Sequence, residues 1–244
     1  MSKIRFNVML SMSVLALCIG LFGCTNTNVE PYEPYEVLAE EAENPVNVVD
    51  VGEINSAMNA LRRVLLGEQK VYSLYSGYYY LKEYYQNLFS IDYSFEERVR
   101  FAVVDMDGDG IPEVVLNFHN VIVEVLHYED GRVYSYSFVP RAMGGIKTDG
   151  TFGWGHLARV HGFRKITFYR GTYEFVDLAV SSNIPGTWRQ GYGYERIFQI
   201  NDTEVIREEF ETFFIEQEAK DDVEWYPFIE ENIDMVFSQW GSNR

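Results

Sequence analysis

Basic residues and cysteine are both scarce in this chain. Lys and Arg number 20 against 37 Asp and Glu, a formal net charge of −17. A phosphate backbone would be repelled over nearly the whole surface, so no nucleic-acid partner is expected. The cysteines are Cys18 and Cys24, both ahead of the region that reads as folded, which excludes a disulfide framework and a cysteine zinc site. No H-E-x-x-H pair, G-x-S-x-G elbow, P-loop or dinucleotide fingerprint occurs. His119, His127, His156 and His161 stand in no metal-ligating arrangement and read as strand-edge or surface residues. What is present, 47% apolar and 23% charged residues, fits a globular domain and neither a disordered nor a polytopic membrane chain.

Lys3 and Arg5 precede an apolar run from Val8 to Phe22, the pattern of a secretory signal. The run is short for a span, which wants about 20 apolar residues, and it passes at once into Thr25-Asn26-Thr27-Asn28. Its end, Leu21-Phe22-Gly23-Cys24, resembles the lipobox of bacterial lipoproteins. The resemblance implies that residues 1–23 are removed, that Cys24 carries lipid, and that the protein is held on the outer face of the cytoplasmic membrane. The alternative is an ordinary signal peptide that happens to contain a cysteine. Residues 24–51 form an acidic tether: Thr25 to Val51 holds no Lys or Arg, and Pro31, Pro34 and Pro45 break helices.

Residues 52–241 read as a single α+β domain. Ile54, Met58, Leu61 and Leu65 recur at helical spacing behind Asp50 and Glu53, a capping-box pair, and predict a helix over 52–67. Further helices are expected over 78–88, 205–219 and 228–240. Between them, short runs rich in Val, Ile, Phe and Tyr predict strands at 101–104, 113–118, 122–128, 133–139, 156–160, 165–169, 174–179 and 194–200, with a weak one at 146–147. Asp130-Gly131, Asp149-Gly150 and Arg170-Gly171 supply turns. The expected architecture is one antiparallel β-meander sheet with the N-terminal and C-terminal helices packed on it.

One stretch carries chemistry. Residues 105–113 read Asp-Met-Asp-Gly-Asp-Gly-Ile-Pro-Glu. Alternate carboxylates at Asp105, Asp107 and Asp109 converge on one point if the chain wraps it, and crowded negative charge is relieved by a hard divalent ion. Asp105, Asp107, Asp109, the Ile111 carbonyl and Glu113 are the expected ligands, and Ca²⁺ the expected ion, in a structural role. An EF-hand is excluded, because its twelfth position is Leu116 and both flanks read as strands. The loop is similar to the calcium hairpins of FG-GAP repeats and related bacterial surface modules, which place an acidic ligand at the ninth position, here Glu113. Phe101 to Leu116, with the lipobox and the helices before and after, also resembles uncharacterised lipoproteins of Gram-positive bacteria, a resemblance that implies no activity. The alternative is an acidic surface turn without metal.

Trp154, Trp188, Tyr192 and Tyr194 lie beside glycines in predicted loops and are candidates for a rim that stacks on a glycan, a peptide or a surface protein. Two functions stay open: a membrane-anchored, calcium-stabilised binding or interaction module, and a cell-envelope hydrolase with a glycosidase-like carboxylate pair that spacing does not identify.

Overall fold

The computed structural model describes residues 50–89, 95–119, 121–156, 160–169, 171–190 and 193–240. The leader, Cys24 and nearly all of the tether lie outside them. The described residues belong to one unit, Val46–Arg244.

The chain opens with α1 (Val51–Leu65), β1 (Val71–Ser73), β2 (Gly77–Tyr79), α2 (Leu81–Phe89) and the one-turn α3 (Phe95–Arg98). Then follow β3 (Val99–Val104), β4 (Glu113–Phe118), β5 (Ile122–Glu129), β6 (Arg132–Phe138), β7 (Phe152–His156), β8 (Val160–Tyr169) and β9 (Thr172–Asn183). The rest is β10 (Arg196–Ile200), β11 (Thr203–Glu204), α4 (Arg207–Glu218), β12 (Tyr226–Pro227) and α5 (Glu230–Trp240). No helix among the described residues is long and apolar enough to cross a membrane.

The strands form two sheets, not the single meander expected. One has the order β12-β3-β4-β5-β6-β1-β2 and the other β11-β10-β9-β8-β7. All pairings are antiparallel except β1 beside β6. That exception explains the split. The outer edge of β6 is taken by β1, with Tyr72 opposite Tyr134, so β7 cannot extend the meander and starts a second sheet. The predicted helix over 78–88 begins only at Leu81, because Tyr78 and Tyr79 belong to β2. The weak strand at 146–147 is a single bridge from Lys147 to Asp222.

Helix α1 begins where Asp50 accepts the Gly52 N–H at 2.9 Å. It ends in a Schellman pair, with Gly67 N–H on the Val64 carbonyl and Glu68 N–H on that of Arg63. Its apolar stripe, with Leu81 and Tyr85 of α2 and Ile233, Val236 and Phe237 of α5, covers one face of the seven-stranded sheet through Phe101, Leu116 and Leu126. The other face, through Ala102, Val115, Val125 and Tyr136, meets Phe152, Ile166 and Phe168 of the second sheet. Strand β5 is thus covered on both sides.

The second sheet serves two layers by means of a bulge. Arg164 pairs with Asp177 and Phe163 with Ala179, leaving Leu178 unpaired between them. The extra residue reverses the alternation of β9. Phe175 packs toward the first sheet with Phe138 and Phe152, while Phe163 and His161 meet Phe214 of α4 on the opposite face.

Candidate metal loop and its surroundings

The loop 105–112 joins β3 to β4, whose registers run from Val99 opposite Phe118 to Val104 opposite Glu113. Gly108 and Gly110 take φ of 81° and 89°, a left-handed backbone that glycine adopts without strain. The turn this permits is held by the aspartates themselves. Asp105 accepts from Gly108 N–H at 2.8 Å and from Gly110 N–H at 3.0 Å. Asp107 accepts from Asp109 N–H at 3.2 Å, and Asp109 from Ile111 N–H at 2.7 Å.

The result is convergence: Asp105, Asp107 and Asp109 each bring one carboxylate oxygen within 4.8 Å of the others. Glu113, the fourth expected carboxylate, is not one of that group. It is fully buried behind the loop, where it accepts the Met106 N–H at 2.7 Å and lies 2.9 Å from His127 Nδ1. Ile111 is fixed by its N–H on Asp109, with its side chain in the core.

The electrostatics fit a cation. Burial raises the Asp107 carboxyl above its ordinary 3.8, the Asp105 charge adds to this, and the N–H groups of Asp109 and Phe168 oppose it. Desolvation, with the Asp107 and Asp105 charges, pushes Asp109 up to about 6. Burial, then Asp107, raises Glu113 well above 4.5. Each shift is chiefly desolvation, to which the neighbouring carboxylates add. An all-oxygen donor set of this kind suits a hard divalent ion rather than a soft metal.

The loop also lies against the second sheet. The Phe168 backbone N–H of β8 is near enough to hold the Asp107 carboxyl down, and the Phe168 ring stacks on His127 of β5 at 4.3 Å. Gly150 supports the loop from outside: a Cβ there would come within 2.5 Å of the Met106 carbonyl and 2.7 Å of that of Asp105. Beside the loop a cavity of about 560 Å³ is lined by Asp105, Gly108, Asp149, Glu224, Tyr226 and Trp240. Burial alone would raise Asp149, but the Lys220 ammonium at 2.7 Å and Thr151 hold it down to about 2.

The four aromatic rim candidates are not all loop residues. Trp154 lies in β7, where its glycine neighbours serve pairing: Gly153 exchanges N–H and C=O bonds with Gly144. Its ring is covered by the Arg164 guanidinium at 3.6 Å. Trp188 is exposed in the loop after β9, which a reciprocal Arg189–Gly193 bridge closes. Tyr194 is half-buried before β10, and Tyr192 lies outside the described residues.

Three buried ionisable residues escaped the sequence reading. His127 is 4% exposed and, like Glu113, lies between the sheets; burial lowers it to about 4. Lys147 is also buried, and Glu124 is wholly so. The signal for Glu124 and His127 was present: Ile122-Val-Glu-Val-Leu-His-Tyr is apolar on both alternations, which marks a strand covered on both faces. Compared with family models, curated proteins and solved structures, the chain matches none of them.

Proposed function

We propose that this protein is a cell-surface lipoprotein, anchored through Cys24, whose globular domain is a calcium-stabilised binding or interaction module. The convergence of Asp105, Asp107 and Asp109 within 4.8 Å, on a hairpin between β3 and β4, is the observation that carries this reading. The ion would take these carboxylates, with Glu113 bracing the loop from behind or completing the set, and would fasten the sheets at one end. Outside the cell calcium is near millimolar, so a site with a dissociation constant of about 10⁻⁴–10⁻³ M is substantially filled. The cavity beside the loop, walled by Tyr226 and Trp240, offers flat rings next to carboxylates, the chemistry that engages a hydroxyl-rich or cationic ligand such as a glycan or a peptide. A hydrolase needs one carboxyl kept protonated near a second, ionised one. In this cavity Asp149 is held strongly acidic, which favours binding over proton donation from that carboxyl.

Thermal melts test the metal. Calcium at tenfold its dissociation constant adds about 1.4 kcal/mol, or about 3–6 °C for a domain of this size. Asp107→Ala is expected to melt identically in calcium and in chelator. A wild-type melting curve that calcium leaves unmoved would end the reading. Anchoring is tested separately: Cys24→Ser should lose incorporation of labelled palmitate and leave the membrane fraction, and retention of both rejects the lipobox.

A further inference from the structure

A second cavity lies under α4, on the face of the five-stranded sheet turned away from the metal loop. It measures about 280 Å³ and is lined by basic residues in a chain that has few of them. Arg196 of β10 and Arg207, the first residue of α4, both border it. Arg196 Nη2 donates to His161 Nδ1 at 3.1 Å. This makes that nitrogen an acceptor, so the imidazole is neutral; burial and the Arg196 charge both favour that form.

Two donors here are unspent. Arg196 Nε and Ser181 Oγ are buried and have no hydrogen-bond partner among the described residues, and both residues line the cavity. Ser181 is wholly inaccessible. Arg164, Arg62 and Arg189 each meet a carboxylate at 3.0 Å or less, whereas Arg196 meets none among the described residues. A buried unsatisfied donor costs about 1–3 kcal/mol, which a ligand acceptor would offset.

The remaining wall is aromatic, from Phe198, Phe210 and Phe214. The Arg207 guanidinium is 5.4 Å from the Phe198 ring centroid and 3.9 Å from the Glu211 carboxylate. Glu211 also borders the cavity, so its two arginines are partly offset and one negative charge on a ligand balances the lining where two would exceed it. The volume is at the small end for ligand pockets, which begin at about 300 Å³, and suits a single ring or a short chain.

We propose that this cavity binds an organic monocarboxylate, a side-chain shift in its wall exposing the Arg196 Nε–H and the Ser181 hydroxyl to the carboxylate, with the approach steered by Arg207 and the apolar body lying against the three phenylalanines. The proposal is independent of calcium. Titration calorimetry on the full protein tests it, with phenylacetate and hexanoate as probes. Phenylacetamide, which keeps the ring and loses the charge, is expected to bind at least about tenfold more weakly than phenylacetate. Arg196→Gln should lose about tenfold or more, and the exposed Arg207→Gln should weaken binding severalfold without moving the melting temperature. N-acetylglycylphenylalanine separates two sources of the same chemistry: tighter binding than phenylacetate assigns the cavity to a peptide C-terminus, weaker binding to a free acid. Absence of saturable binding by both phenylacetate and hexanoate at millimolar concentration overturns the proposal. So does equal affinity for the acid and the amide, or an Arg207→Gln variant that is folded and binds as wild type does.

Discussion

Glu124 stands in the middle of the seven-stranded sheet, fully buried, and its only partners among the described residues are hydroxyls. Tyr85 and Ser135 donate to it, Ser137 donates at 2.5 Å and Tyr79 at 3.2 Å. Burial raises its carboxyl above the ordinary 4.5, while the four hydroxyls pull it down. Tyr79 and Tyr85 are themselves raised far out of reach, by burial and then by the Glu124 charge, and so remain donors. The sign follows from linkage. A raised carboxyl contributes stability that is complete below its unfolded value and is lost as pH rises through the higher folded value. Glu124→Gln is therefore predicted to flatten that loss, read as the difference between wild-type and variant urea unfolding free energies from about pH 4.5 to about pH 8. Parallel curves would refute it. Tyr85→Phe removes one charge-assisted donor while the ring stays on Phe118, and should cost about 2 kcal/mol by the same measurement.

Among the elements, α4 depends on a residue outside it. Its Ncap, Ile206, offers no side-chain bond, and its last carbonyl, with one just beyond the helix end, is met by Lys147 from the β6–β7 connection. Lys147 Nζ donates to the carbonyls of Glu218 at 2.9 Å and Lys220 at 3.1 Å, and to Asp222 at 2.7 Å. Asp222 is largely exposed, so the carbonyl bonds and the helix-end charge are the larger contribution. Lys147→Met keeps the buried stem and removes the donor. It is predicted to cost about 2 kcal/mol in urea melts, with amide exchange accelerated first in the last turn of α4; uniform acceleration would contradict this. The helices α1 and α5 were legible from their apolar periodicity, α4 from its clustered phenylalanines, and the strands β3 to β6 from short runs of Val, Ile, Phe and Tyr bounded by turn residues. Strands β1 and β2 were not, since three residues show no alternation and the place of their hairpin is decided by pairing of β1 with β6, remote in sequence. The division into two sheets was illegible for the same reason. The bulge at Leu178 likewise leaves no mark in composition.

At the scale of the whole molecule, layers of helix, sheet, sheet and helix are stacked, and the acidic loop lies where the two sheets meet. The three aspartates were legible, because their spacing and glycines dictate the turn. The station of Glu113 was not, because a carboxylate's choice between the loop's interior and its rear depends on Met106 and His127, which only the folded sheets bring to it. A chain this acidic gains from any bound cation, but a loop whose oxygens converge should hold one at a fixed ratio. Calcium titration of the purified, chelator-treated protein by calorimetry reads that ratio directly. The account predicts about one ion per chain with a dissociation constant at or below about 10⁻³ M, and no such isotherm for Asp107→Ala. Absence of binding heat in wild type at millimolar calcium, or an unchanged isotherm in the variant, would contradict it.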